Sequence, residues 1–110
     1  MDKNKLNYLE QSLKMVGKKF DLLIIDCLAR HKNKSSFNKI LADISSINPR
    51  ILSMRLKSLE QDKLITKSLI LGTPVRTEYT LTQKAKKLLP IISGLKEWIK
   101  WLFKEIFHVI

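Results

Sequence analysis

One cysteine, three glycines and three prolines in 110 residues leave this chain short of what several kinds of protein are built from. A single cysteine excludes a disulfide framework within the chain. Cys27 lies in the apolar run Leu22-Leu23-Ile24-Ile25-Asp26-Cys27-Leu28, which fits a buried thiol in a reducing compartment better than a bridge or a metal ligand. So little Gly and Pro argues against a fibrous or disordered chain. Acidic residues are also few. Ten Asp and Glu against twenty-one Lys and Arg leave a formal net charge of +11, a surface that attracts nucleic acid, anionic lipid or an acidic protein. No apolar run is long enough to span a bilayer, and Met1-Asp2-Lys3-Asn4-Lys5 leads into no secretory apolar region, so a cytoplasmic protein is expected.

Catalytic chemistry is equally under-supplied. His31 and His108 lie far apart, no Gly-rich phosphate loop occurs, and no His, Cys, Asp or Glu spacing suits a metal. Neither an enzyme nor a cofactor is expected.

What is present is a 45% hydrophobic content, enough for one modest core in a chain of this length, and therefore for a single domain over residues 1–110. Leu6, Leu9, Leu13 and Val16 recur at helical spacing and predict an amphipathic first helix ending near Gly17. A second helix over Phe20–His31 presents Phe20, Leu23, Ile24, Cys27 and Leu28 on one face, and the stretch 32–36 interrupts it. Ser36 is a candidate N-cap for a short helix holding Phe37, Ile40 and Leu41, which ends at Ser45-Ser46. Asn48 with Pro49 then marks a firm helix start: the Asn side chain accepts from the free amides of the first turn, and Pro has no N–H to lose at the first position.

Along that fourth helix, 100° per residue puts Leu52, Leu56 and Leu59 on one face and Arg50, Ser53, Met54, Lys57 and Gln61 on the other. Arg55 falls at the edge of the apolar face and is assigned an internal ion pair or hydrogen bond, with Glu60 or Asp26 as partner. Two runs rich in β-branched and aromatic residues, 64–70 and 75–81, flank Gly72-Thr73-Pro74 and predict an antiparallel hairpin. Thr82 caps a further helix, and Pro90 either kinks it or starts a fresh segment. Ile91, Ile92, Leu95, Trp98, Ile99, Leu102, Phe103, Ile106 and Phe107 give this C-terminal part more apolar surface than one small domain covers. Trp98 and Trp101 could belong to a membrane-surface helix, but their helical spacing with aliphatics fits a core or dimer seam.

A short helix, a turn, a capped helix and a hairpin form a winged helix-turn-helix, so the expected fold is mainly α with a small β-hairpin. Terminal dimerisation helices over 1–16 and 83–110 flank a winged core over 20–82. A helix fits the major groove of double-stranded DNA, where Arg50 or Lys57 suits guanine acceptors, Ser53 a base or phosphate, and Met54 a thymine methyl. A merely solvated face is the alternative for each. Lys67 and Arg76 flank the hairpin tip, placed for the minor groove or adjacent phosphates. Ser36, Asn38 and Lys39 open a helix whose N-terminus could hold a phosphate, though capping alone would explain the serine. Arg30, His31, Lys32 and Lys34 add a basic cluster.

The chain resembles the HxlR-type family of bacterial and archaeal winged-helix regulators. The resemblance rests on Val16-Gly17-Lys18-Lys19-Phe20, on Ser36-Phe37-Asn38-Lys39-Ile40 and on Ile47 through Leu59 with its Ser-x-Arg-Leu-Lys-x-Leu-Glu core. Pro74 through Thr82, and Leu88-Leu89-Pro90 with Trp98 downstream, complete it. It implies a transcriptional regulator acting as a homodimer, joined through Leu6, Leu9 and Leu13 and through Ile92, Leu95, Trp98, Ile99, Leu102, Phe103 and Ile106, and reading a near-palindromic operator. Carried over by position, Ser53, Met54 and Lys57 lie in the major groove and Lys67 and Arg76 on the wing. Asn48, Arg50 and Gln61 complete the expected DNA contacts from the reading helix. Several relatives sense oxidants through a cysteine ahead of the second helix; residues 1–19 contain none, so that route is not carried over. Lys63 stands where the family usually has Gly. A small-molecule effector is left open, since no residue identifies one. The competing class is a winged-helix protein-interaction module that recruits a transcription or replication partner without reading DNA.

Overall fold

A computed structural model describes residues 7 to 109, with side chains through Phe107. Its elements run α1 (Tyr8–Val16), α2 (Asp21–Arg30), β1 (Lys34–Ser36), α3 (Phe37–Asp43), α4 (Pro49–Gln61), β2 (Ile65–Ile70), β3 (Arg76–Leu81), α5 (Gln83–Lys86) and α6 (Leu89–Val109). The expected caps are all made. Ser36 Oγ accepts from the Lys39 amide at 3.3 Å, Asn48 Oδ1 from Ile51 at 2.9 Å and Thr82 Oγ1 from Ala85 at 3.2 Å. Pro90 opens α6 as its second residue rather than kinking a longer helix.

The hairpin forms with Ile70 opposite Arg76 and Ile65 opposite Leu81, and it gains a third strand that the sequence pattern did not reveal. β1 pairs with β3, Ser35 opposite Tyr79 and Ser36 opposite Glu78, giving the order β1-β3-β2. Side chains alternate across the sheet. Ser35, Ile65, Tyr79 and Leu81 therefore face the core, and Lys34, Ser36, Ile70, Arg76 and Glu78 face away from it.

Ile24, Ile25, Cys27 and Leu28 of α2, Ile40 of α3 and Leu52, Leu56 and Leu59 of α4 are fully buried against that inner face. Here α2 departs from expectation: Leu23 is exposed and Ile25 buried, because the helix is covered from more than one side and its buried arc is shifted from the predicted one. Ile92 is a second correction. Helical spacing groups it with the dimerisation residues, but its side chain is buried in the chain's own core with Leu88 and Leu89 packed alongside, so α6 enters the core through its first turn.

Beyond that turn most of the apolar side chains of α6 are exposed, and α1 buries none of its residues. The radius of gyration, 16.5 Å, exceeds the roughly 13 Å of a compact domain of this length. Gly17 lets the chain turn out of α1, since a Cβ there would stand 2.1 Å from the Leu13 carbonyl oxygen. Of the residues assigned to the N-terminal seam, Leu9 and Leu13 are exposed, and Leu6 lies outside the described residues. No helix among the described residues is long and apolar enough to cross a membrane.

Candidate nucleic-acid interface

α4 is held from beneath by one buried ion pair. Asp21, at the start of α2, is 0% exposed, and its carboxylate accepts Arg55 Nε at 2.7 Å, a second Arg55 guanidinium nitrogen at 3.0 Å and the Lys18 amide at 3.2 Å. Such two-pronged guanidinium–carboxylate pairs fix orientation as well as distance. The internal role expected for Arg55 holds, but its partner is neither Glu60 nor Asp26. Glu60 is exposed, and Asp26 is engaged by Lys96 Nζ at 2.7 Å and Arg30 Nε at 3.2 Å. Burial works against ionisation of Asp26, and these two cations together hold its carboxyl below the ordinary value.

With Leu52, Leu56 and Leu59 in the core and Arg55 pinned, the opposite face of α4 carries Arg50, Ser53, Met54, Lys57 and Gln61, all exposed. Ser53 and Lys57 share a cleft of about 380 Å³ with Glu60, Lys67 and Tyr79. Lys67 therefore stands beside α4 rather than at the hairpin tip: it pairs with Tyr79 in mid-strand, while the turn lies between Ile70 and Arg76. Ser68, Leu69 and Ile70 separate it from the turn, so Lys67 does not flank the tip as Arg76 does. Arg76 is at the tip end, and with Pro74, Val75 and Thr77 it borders the α3 N-terminus, where Ser36, Phe37 and Asn38 line the same cleft. The Ser36 hydroxyl and the Asn48 amide oxygen each already accept a capping amide, so those acceptors serve the helices first.

β1 also produces a feature that spacing along the chain did not reveal. Arg30, His31, Lys32, Lys34, Lys39 and Arg76 line one open cleft of about 450 Å³, with Glu78 as the acidic residue among them. A strand of three residues carries Lys34 across to the wing, turning a scattered charge run into a focused positive surface. Beneath it, burial and the neighbouring Asp43 carboxylate push the Cys27 thiol up to about 11, so it is protonated at neutral pH.

Residues 15–106 match the HxlR-like helix-turn-helix family. The chain belongs to that family. Among HxlR-like relatives, the HTH-type transcriptional regulator YvaP of Bacillus subtilis is 34% identical over 94 residues, covering 84% of this chain and 85% of YvaP. BH0655 of Halalkalibacterium halodurans, also an HTH-type transcriptional regulator, is 37% identical over 87 residues, 79% of this chain and 76% of its own. YodB of B. subtilis is 31% identical over 90 residues, 82% and 79% of the two chains. The reduced form of YodB superposes with a TM-score of 0.70 at 30% identity, covering 84% of this chain and 88% of YodB. YodB structures also include diamide-treated and quinone-bound forms. These HxlR-like relatives are regulators and not enzymes.

Proposed function

We propose that this HxlR-like protein is a transcriptional regulator that binds double-stranded DNA as a homodimer, with α4 in the major groove and the β2–β3 wing on the adjacent minor groove or backbone. The observation that carries this is the division of α4: three leucines and a buried Arg55–Asp21 pair anchor one face, leaving Arg50, Ser53, Met54, Lys57 and Gln61 outward. A side-chain set anchored this way meets base edges without a large ordering cost. Lys67, Asn38, Lys39 and Arg76 are assigned to flanking phosphates, and the basic cleft extends that path. The interaction-module alternative explains the apolar α6 but not the polar, basic face of α4, and the relatives' names favour regulation.

The dimer is assigned to the exposed apolar residues of α1 and α6, namely Leu9, Leu13, Leu95, Trp98, Phe103 and Ile106, with Ile99 and Leu102 half-buried behind them. A near-palindromic operator follows, with the two α4 helices about 34 Å apart on successive major grooves. An effector of the kind seen on YodB would have to act otherwise than through an N-terminal cysteine, because residues 1–19 hold none.

Selection of genomic fragments with the purified protein yields an operator, and fluorescence anisotropy on that duplex tests the assignment. Affinity falls steeply with salt; Lys57→Ala weakens operator binding by about tenfold, and Arg50→Ala also relaxes base preference. Duplex binding that is absent or insensitive to salt overturns the proposal.

A further inference from the structure

Spacing along the chain offers no metal-ligand set, but folding brings one together at the joint between α2 and α3. Cys27 lies in the last two turns of α2, His31 is the C-cap of that helix four residues on, and Asp43 is the last residue of α3. Cys27 Sγ lies 3.5 Å from Asp43 Oδ2, and His31 Nε2 is hydrogen-bonded to that same oxygen. The three donor atoms all fall within 4.8 Å of one another. Thiolate, imidazole and carboxylate are the ligand types that zinc takes, and three protein ligands with a fourth position for water is a common arrangement for it.

The distances agree with that chemistry. An ion about 2.3 Å from sulfur and about 2.0 Å from a carboxylate oxygen, with a tetrahedral angle between them, holds the two roughly 3.5 Å apart. Cys27 and Asp43 already have this separation. The imidazole, now bonded to the carboxylate, has only to move aside for the ion to enter between them. Access is open on that side: the His31 and Asp43 side chains are 37% and 31% exposed, while Cys27 is fully buried and forms the floor.

We propose that Cys27, His31 and Asp43 form a mononuclear site for a thiophilic divalent transition metal, with Zn²⁺ the chemical type that fits. Binding conserves protons and charge: the thiol proton goes to solvent, and the Nε2 proton either leaves with it from an imidazolium or shifts to Nδ1 in a neutral ring. Thiolate and carboxylate together then balance the two positive charges of the ion. The sulfur and nitrogen donors select against Ca²⁺ and Mg²⁺, which depend on oxygen ligands, whereas the nearby Arg30, Lys32 and Lys34 oppose all divalent cations alike. A bound ion joins α2, which holds Asp21, to α3, which leads into the turn before α4. The site thus lies where it bears on how the reading helix is carried.

Cobalt titration of the full chain under reducing, oxygen-free conditions tests this without DNA. The expected result is one Co²⁺ per chain with thiolate-to-cobalt charge-transfer absorption, displaced by Zn²⁺. Cys27 is the chain's single cysteine, so such a band reports this site alone. Asp43→Asn and His31→Gln, at partly exposed positions, each weaken the band's apparent affinity by about tenfold or more, with circular dichroism verifying the fold. Zn²⁺ raises the unfolding midpoint of the parent chain and not that of Asp43→Asn. Absence of a thiolate band at saturating Co²⁺, or a band indifferent to both substitutions, overturns the proposal, whatever metal binds elsewhere.

Discussion

The winged core and the terminal helices solve the same problem in opposite ways. In the core, apolar side chains from α2, α3, α4 and the sheet bury one another, and the one buried carboxylate among the described residues has three donors. In α1 and in α6 beyond its first turn, large apolar side chains stay in water: Leu9 is 70% exposed and Trp98 57%. An amphipathic helix is stabilised mainly by covering its apolar face. The core is complete within one chain, whereas the terminal helices leave apolar surface that, on the proposed dimer, a second copy covers. Stability of the first should therefore depend on internal partners, and stability of the second on protein concentration.

The most severe way to break the core side of this contrast is Arg55→Ala. Removing the guanidinium leaves the fully buried Asp21 with one backbone amide in place of a two-pronged cation. Loss of one partner of a buried pair typically costs about 3–5 kcal/mol. Urea unfolding should show a loss of that order, independent of protein concentration, and operator binding should weaken with it because α4 loses its anchor. A loss below about 1 kcal/mol would mean that packing alone fixes the helix.

Trp98→Glu acts on the other side. The substitution leaves the core untouched and places a charge on the exposed α6 face, so the monomer should fold with unchanged circular dichroism. On the proposed dimer, the dissociation constant measured by sedimentation should rise about 30-fold or more, the hot-spot cost of roughly 2 kcal/mol. Operator affinity should fall in parallel, since two half-sites are then read by separate chains. An unchanged sedimentation profile would assign the α6 face to a different partner.

How much of this was legible beforehand follows from sequence distance. Caps and helix faces depend on residues three or four apart, and Asn48, Ser36, Thr82 and the two faces of α4 were read correctly for that reason. Features made by distant residues were not. β1 has no strand pattern of its own and exists through pairing with β3, so Lys34 was a charge in a loop until the sheet placed it beside Arg76. Arg55 and Asp21 are 34 residues apart, and two nearer carboxylates looked equally suitable. Ile92 had the same helical spacing as the exposed residues after it, and only the entry of α6 into the core separates them. Cys27 was placed correctly as a core thiol, but its proximity to Asp43 depends on how two helices cross.

Lys63→Gly sharpens the comparison with the smallest expected effect. α4 ends with the Lys63 amide donating to Glu60 at 3.0 Å and the Leu64 amide to Leu59 at 2.9 Å, with Lys63 itself at φ +61°. This is a Schellman exit, whose left-handed position favours glycine because a Cβ there crowds the backbone. Lys63 is exposed, and its carbonyl, which accepts the Thr82 hydroxyl at 2.8 Å, is retained by glycine. Relief of the strain exceeds the extra backbone freedom of glycine in the unfolded chain, so thermal or urea unfolding should show a net gain of about 0.5–1 kcal/mol. The position shares no partner with Trp98, so the same gain should appear in the Trp98→Glu background. Equal gains in both would show that the core's stability is set inside one chain, and a gain confined to the dimeric parent would show that the two regions are coupled after all.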